Sequence, residues 1–194
     1  VLVKLAGDTA QIERFTLRAG DGSATITGGV TLGPKLQVVQ GRLQMKADRL
    51  RVLGRVDRTV ITSGEAVAVM QNERLQLDGK FRIDEGMFDA SSSDAPSLDD
   101  DVTVRRADAP EERQAAAEAP QGKRSFVLGV DIDLGDRLRV RGRGLDTGLR
   151  GQVRVSNPGG RLAVNGTITS DGGTYAAYGQ KLEIERGVIA FSGA

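Results

Sequence analysis

Residues 75–84 alternate without a break. Leu75, Leu77, Gly79, Phe81 and Ile83 face one way, and Gln76, Asp78, Lys80, Arg82 and Asp84 face the other. A two-residue period belongs to a strand with one apolar and one wet face, and it cannot be laid on the 3.6-residue turn of an amphipathic helix. The period recurs along the chain. In 22–32, Gly22, Ala24, Ile26, Gly28, Val30 and Leu32 oppose Ser23, Thr25, Thr27 and Thr31. Phe126, Leu128, Val130, Ile132 and Leu134 share a side, with Asp131 and Asp133 opposite. Arg137, Arg139, Arg141 and Arg143 stand against Leu138, Val140 and Gly142. Two further apolar sets are Leu149, Gly151, Val153 and Val155, then Leu162, Val164, Gly166 and Ile168. Nothing outside the central stretch 91–122 sustains helical spacing, so the expected fold class is all-β.

Turn residues punctuate these runs: Gly20-Asp21-Gly22, Gly33-Pro34, Ser63-Gly64, Asp78-Gly79, Asn157-Pro158-Gly159-Gly160 and Asp171-Gly172-Gly173. Counting runs between them predicts about fifteen short strands, more than one flat sheet holds without curling. Glycines inside runs (Gly28, Gly79, Gly142, Gly151, Gly166) permit strong curvature. With five Phe, two Tyr and no Trp, the interior is expected to be lined by aliphatic carbon.

Residues 91–122 break the pattern. They hold three of the five prolines with runs of Ser, Asp and Ala, and too little apolar periodicity to offset the entropy of ordering. The stretch reads as a low-complexity, flexible insertion, with 110–118 as a marginal helix, inside one domain spanning 1–194. On this reading a short Gly/Ser linker could replace it.

The chemistry the chain can carry is limited. It has no His and no Cys, which excludes disulfides, thiolate or imidazole metal sites and histidine-dependent nucleophile systems. Asp131 and Asp133, about 7 Å apart along a strand, alternate with an apolar face and read as solvated surface rather than an acid–base pair. Asp99, Asp100 and Asp101, with Asp94 nearby, lack ordered calcium-ligand spacing. The arginines of 137–143 have no interleaved aromatics, and 27 basic residues balance 26 acidic ones, so no nucleic-acid partner is expected. The glycine loops at 157–160 and 171–173 lack a P-loop lysine. No cofactor, metal or catalytic residue is expected, and the chain is not expected to be an enzyme. No apolar run approaches 18 residues, and no signal peptide is visible. Val1 and Ala194 both fall inside alternating runs, which reads as an excised internal fragment.

The last third is more specific. Leu134-Gly135-Asp136 and Gly144-Leu145 precede an ordered pattern of Gly173, Tyr175, Tyr178, Gly179, Leu182, Ile184, Gly187, Ile189, Phe191 and Gly193. Order and spacing over roughly 134–193 resemble the C-terminal domain of the TamB family, relatives of the AsmA-like bridge-type lipid transfer proteins. Residues 1–90 agree in style, as short amphipathic strands. The insertion at 91–122 has no place on the family pattern, and family members continue with further strands beyond Gly193.

The resemblance implies a long sheet curled into a taco-like trough with an apolar lumen. It implies a protein anchored in the inner membrane by a segment absent here, crossing the periplasm of a Gram-negative bacterium. The implied partners are the outer-membrane barrel protein TamA, phospholipid or another acyl-chain ligand, and unfolded outer-membrane proteins. The implied work is phospholipid transport between the membranes, outer-membrane protein (autotransporter) insertion, or both. About fifteen strands at ~4.8 Å would make such a trough about 70 Å long. The expected lining is Leu75, Leu77, Phe81, Ile83, Phe126, Leu128, Val130, Ile132, Leu138, Val140, Val153, Val155, Leu162, Val164 and Ile168. Two alternatives stay open: a chaperone-like module holding outer-membrane strands by β-augmentation, and a structural β-solenoid such as an adhesin passenger.

Overall fold

The computed structural model describes residues 2–34, 37–90 and 125–193. Where apolar and polar residues alternate, the chain is extended, and twelve strands hydrogen-bond into one sheet. They are β1 (Leu2–Ala6), β2 (Thr9–Ala19), β3 (Gly22–Leu32), β4 (Val38–Gly54), β5 (Arg58–Gln71), β6 (Arg74–Asp89), β7 (Ser125–Asp133), β8 (Leu138–Gly142), β9 (Leu145–Ser156), β10 (Ala163–Ala177), β11 (Gln180–Glu183) and β12 (Val188–Ser192). A 3-10 turn at Pro158–Gly160 joins β9 to β10, and no α-helix occurs among the described residues. The acidic cluster at 94–101 and the stretch 110–118 lie outside them.

About fifteen strands were expected of the whole chain, and the described residues hold twelve. Three dipeptide or tripeptide signals taken as turns lie inside strands: Ser63-Gly64 in β5, Asp78-Gly79 in β6 and Asp171-Gly172-Gly173 in β10. Glycine there serves curvature rather than chain reversal. Gly28 illustrates the reason. Its φ is +139°, and a Cβ would stand 2.1 Å from the Arg42 carbonyl oxygen on β4. No other residue permits that approach.

Strands follow sequence order from β1 to β6, each antiparallel to the next. Beyond β6 the order changes. β7 and β8 both lie beside β6 and run parallel to it, with Arg74 opposite Ser125 and Asp89 opposite Arg141. Both then pair antiparallel with β9, which pairs with β10. The outer side of β10 is covered in two pieces, β12 along 165–169 and β11 along 174–177.

The parallel pair overturns the expectation that a short linker could replace 91–122. The chain leaves β6 at Asp89 and re-enters beside Arg74. These points are about 50 Å apart along the strand at ~3.3 Å per residue.

A line of irregularities crosses the strands. β4 carries an extra residue between Ala47 and Leu50, β6 between Ile83 and Glu85, and β10 between Asp171 and Gly173. Opposite the β6 bulge the chain breaks between β7 and β8 at 134–137. Opposite the β10 bulge it breaks between β12 and β11 at 184–187. A bulge bends its strand, and bulges aligned on neighbouring strands crease the whole sheet. The crease divides a long leaf from a short one, the latter made of 50–54, 58–61, 85–89, β8, 145–149, 173–177 and β11. A Cβ on Gly86 would lie 2.5 Å from Leu138 Cδ1 and 3.3 Å from Ile83 Cγ2, so side chains from both leaves converge there. Leu134, Leu138 and Thr147 are among the most buried residues, at 7%, 6% and 3% exposure.

Candidate functional site

Cross-strand register assembles the apolar residues into rows perpendicular to the strands. One row runs Phe15, Ile26, Met45, Ala66, Gly79, Val130, Val155 and Val164. The next runs Leu17, Ala24, Ala47, Gly64, Phe81, Ile132, Val153, Gly166 and Phe191. On the far side of the first row lie Leu43, Ala68, Leu77 and Leu128, then Met70, Leu75 and Phe126. At the crease the rows continue through Thr62 and Ile83, through Gly151, Ile168 and Ile189, and through Gly86, Leu138 and Leu149. Val140 follows beside Phe88 and Thr147. One apolar face therefore crosses the sheet from β2 to β12.

Fourteen of the fifteen residues expected to line a lumen sit in these rows. The fifteenth, Leu162, does not: it precedes β10, and it is 62% exposed. Sequence reasoning missed the contribution of β2, β4 and β5, including Phe15, Met45, Ala66 and Ala68. Bulges at Glu13-Arg14 and Asp48-Arg49 reverse the parity there, so no single alternation spans either strand. The signal was present in halves: Leu43, Met45 and Ala47, then Leu50 and Leu53.

The face is not sealed. Among the described residues no large side chain is fully buried, and most of the row residues are only half-buried. Apart from an approach of β2 to β4, strands contact their sheet neighbours, and no second layer covers the apolar side in the described residues.

The opposite face is polar and paired. Asp131 meets Arg154 at 3.3 Å, and Asp133 accepts a 2.8 Å bond from the Gly135 amide. Arg139 and Arg141 share Asp146, at 2.6 and 3.1 Å. The hydrogen bond from Arg139, with its charge, holds the Asp146 carboxyl below the usual carboxylate range and raises the guanidinium's own value. Arg139 and Arg141 are thus solvated ion-pair members. Arg137 donates to the Asp84 carbonyl oxygen at 3.0 Å, and Arg143 sits in the β8–β9 turn. An open depression of about 640 Å³ is lined by residues of both parities, including Lys80, Asp131, Gln152, Arg154 and Asn165. Among the described residues no acidic cluster is arranged to hold a metal ion.

The C-terminal pattern acquires physical roles. Leu134 is buried and donates to the Gly151 carbonyl oxygen at 2.9 Å. Gly135 crosses the β6 backbone so closely that a Cβ would stand 2.2 Å from the Ile83 oxygen, and Asp136 takes Arg82 at 2.8 Å. Gly173 lies at the β10 bulge, while Tyr175, opposite Leu145 and Leu182, extends the apolar face. Tyr178 and Gly179, with φ of +52° and +76°, form the two-residue turn between paired Ala177 and Gln180. Ile184 and Gly187 bond to β10 through Gly173 and Ser170, Ile189 and Phe191 face Ile168 and Gly166, and Gly193 donates to Val164.

Fold and face together define a class of protein: a creased, open, mostly antiparallel mixed sheet that presents an unsealed aliphatic surface on one side and ion-paired water-facing residues on the other. The particular family follows from comparison: residues 13–194 match the TamB C-terminal domain, and the chain belongs to that family. It is similar to the translocation and assembly module subunit TamB of Haemophilus influenzae, 35% identical over 81 residues. That stretch covers 42% of this chain and 6% of the relative, so the chain spans a small part of a TamB-like protein's length.

Proposed function

We propose that this segment is a non-enzymatic conduit surface that shields the acyl chains of phospholipids moving between the inner and outer membranes of a Gram-negative envelope. The whole protein would stand in the periplasm on an inner-membrane anchor and work with the outer-membrane barrel TamA. Outer-membrane protein insertion would be served by the same face. The observation that carries this reading is the continuity of the apolar rows from β2 to β12 without a layer to seal them. An uncovered face of this extent marks an interaction surface. Its rows offer aliphatic carbon and no buried charge, so an acyl chain can shift along them without breaking a polar contact.

β-Augmentation of unfolded outer-membrane strands is the second reading. The exposed apolar residues of the outermost strands favour it, with Leu5 on β1 at 76% exposure. A β-solenoid does not fit, because its coils stack in parallel and this sheet is antiparallel on both sides of β6–β8.

The test is native mass spectrometry of the protein purified without detergent, alongside Val130→Arg on the apolar face and Thr167→Arg on the outer face. Co-purified phospholipid in the parent and in Thr167→Arg, lost in a folded Val130→Arg, is the expected result. Equal lipid in all three, or none in the parent, overturns the conduit.

A further inference from the structure

We propose that the end of the sheet where β4 turns into β5, β8 into β9 and β10 into β11 is a rim that docks on the interface of an anionic lipid bilayer. This goes beyond the conduit, because it concerns the tips of the turns and not the apolar face.

The observation that carries it is a mismatch between residue type and position. At the opposite end the connections read Gly7-Asp8, Gly33-Pro34, Asn72-Glu73 and Asn157-Pro158-Gly159-Gly160, all residues that suit a turn. The three turns of the rim carry Val56, Arg143 and Tyr178 at their tips instead. Val56 and Tyr178 are fully exposed, at 101% and 103%. Arg143 and Tyr178 hold φ of +48° and +52°, a conformation that suits glycine or asparagine better. Such side chains gain nothing from the fold they crown, so their chemistry serves contact with something outside it.

At ~4.8 Å per strand the tips follow one another along the rim at about 14 and 10 Å. Polar residues separate them, so they form no continuous apolar patch of the kind a protein partner covers. A bilayer interface accepts them singly. The tyrosine ring has an apolar body and a wet hydroxyl, the valine enters shallowly, and arginine meets lipid phosphate. The charge agrees. Arg55 and Arg58 share Asp57, at 3.9 and 3.0 Å, and Arg143 has no ion-pair partner among the described residues. Arg55, Arg58 and Arg143 outnumber Asp57 and Asp89 at this end.

The test is flotation with vesicles of equal parts phosphatidylethanolamine and phosphatidylglycerol. An environment-sensitive nitrobenzoxadiazole label on Gln180→Cys, beside the rim, or on Glu73→Cys, at the opposite end, reports which end meets lipid; both positions are exposed and the chain has no cysteine of its own. The expected result is a brighter, blue-shifted label at 180 and an unchanged one at 73. Val56→Ser combined with Tyr178→Asn should weaken partitioning about tenfold. Arg143→Gln should weaken it for these vesicles and not for phosphatidylcholine alone. Val130→Arg, on the apolar face, should still bind, which separates the rim from the conduit. No flotation of the parent overturns the inference and leaves the tips to a protein partner. An equal response of the two labels, or unchanged binding by the double variant, also overturns it. Should the double variant lose its β-sheet circular dichroism, Tyr178→Asn alone decides the matter on the same criteria.

Discussion

The ring of Phe81 lies across Gly64 of the neighbouring strand: a Cβ on Gly64 would stand 2.7 Å from Phe81 Cδ1, and one on Gly79 would stand 2.9 Å from Cε2. Two glycines let the one large ring in this part of the row lie down on the sheet, which keeps the apolar face shallow. Gly79→Ala meets the ring edge most closely, with Ala66 Cβ and the Glu65 carbonyl oxygen at 3.3 Å, and should cost about 1 kcal/mol. Gly64→Ala also meets the Lys80 carbonyl oxygen at 2.2 Å and should cost about 2–3 kcal/mol, because backbone must separate. Urea unfolding measures both. In a Phe81→Leu background the Gly79→Ala penalty should fall and the Gly64→Ala penalty should persist.

The connection between β6 and β7 has a minimum length. A Gly/Ser linker of eight residues in place of 91–124 reaches at most about 30 Å, short of the ~50 Å that β6 covers along its length between the two ends. One of 28 residues reaches easily. Cysteines at Gln76 and Val127, partners across the pair, should cross-link in the long-linker protein and not in the short one. Cross-linking in both would refute the parallel register.

Tyr178 is fully exposed with φ of +52°, a conformation that asparagine tolerates better than an aromatic residue. Tyr178→Asn should stabilise by about 0.5–1 kcal/mol. A loss of stability on urea titration would mean that the tyrosine ring has packing partners.

Asp146 links acid stability to the β8–β9 hairpin. Its carboxyl is held below the usual range by Arg139 and Arg141. The stability it contributes is therefore present above the unfolded-state value and is lost as pH falls through the lowered folded value. Asp146→Asn should lower the melting temperature modestly at neutral pH, and the gap to the parent should close as pH drops below the ordinary carboxylate range. A gap that widens toward acid would reverse the assignment.

Period-2 alternation determined the all-β class and the faces of β3, β7, β9, residues 75–83 of β6 and residues 164–168 of β10, because between bulges side-chain direction in a strand depends only on parity. It determined the pairing of apolar with polar sides for the same reason. It failed in β2 and β4 and at Leu162, where a bulge or a strand boundary shifts parity by one, and no local signal at Asp48-Arg49 distinguishes a bulge from a turn. Glycines at 64, 79 and 172 read as turns by composition, yet they lie inside strands. Whether a glycine ends a strand or bends it depends on which backbone passes beside it: Lys80 for Gly64, Arg42 for Gly28. Register across strands, the parallel placement of β7 beside β6 and the crease that aligns Asp84, Asp136 and Asp171 all join residues far apart in the chain. Only the folded sheet decides them, because hydrogen-bond register between strands is a long-range contact that alternation within one strand does not encode.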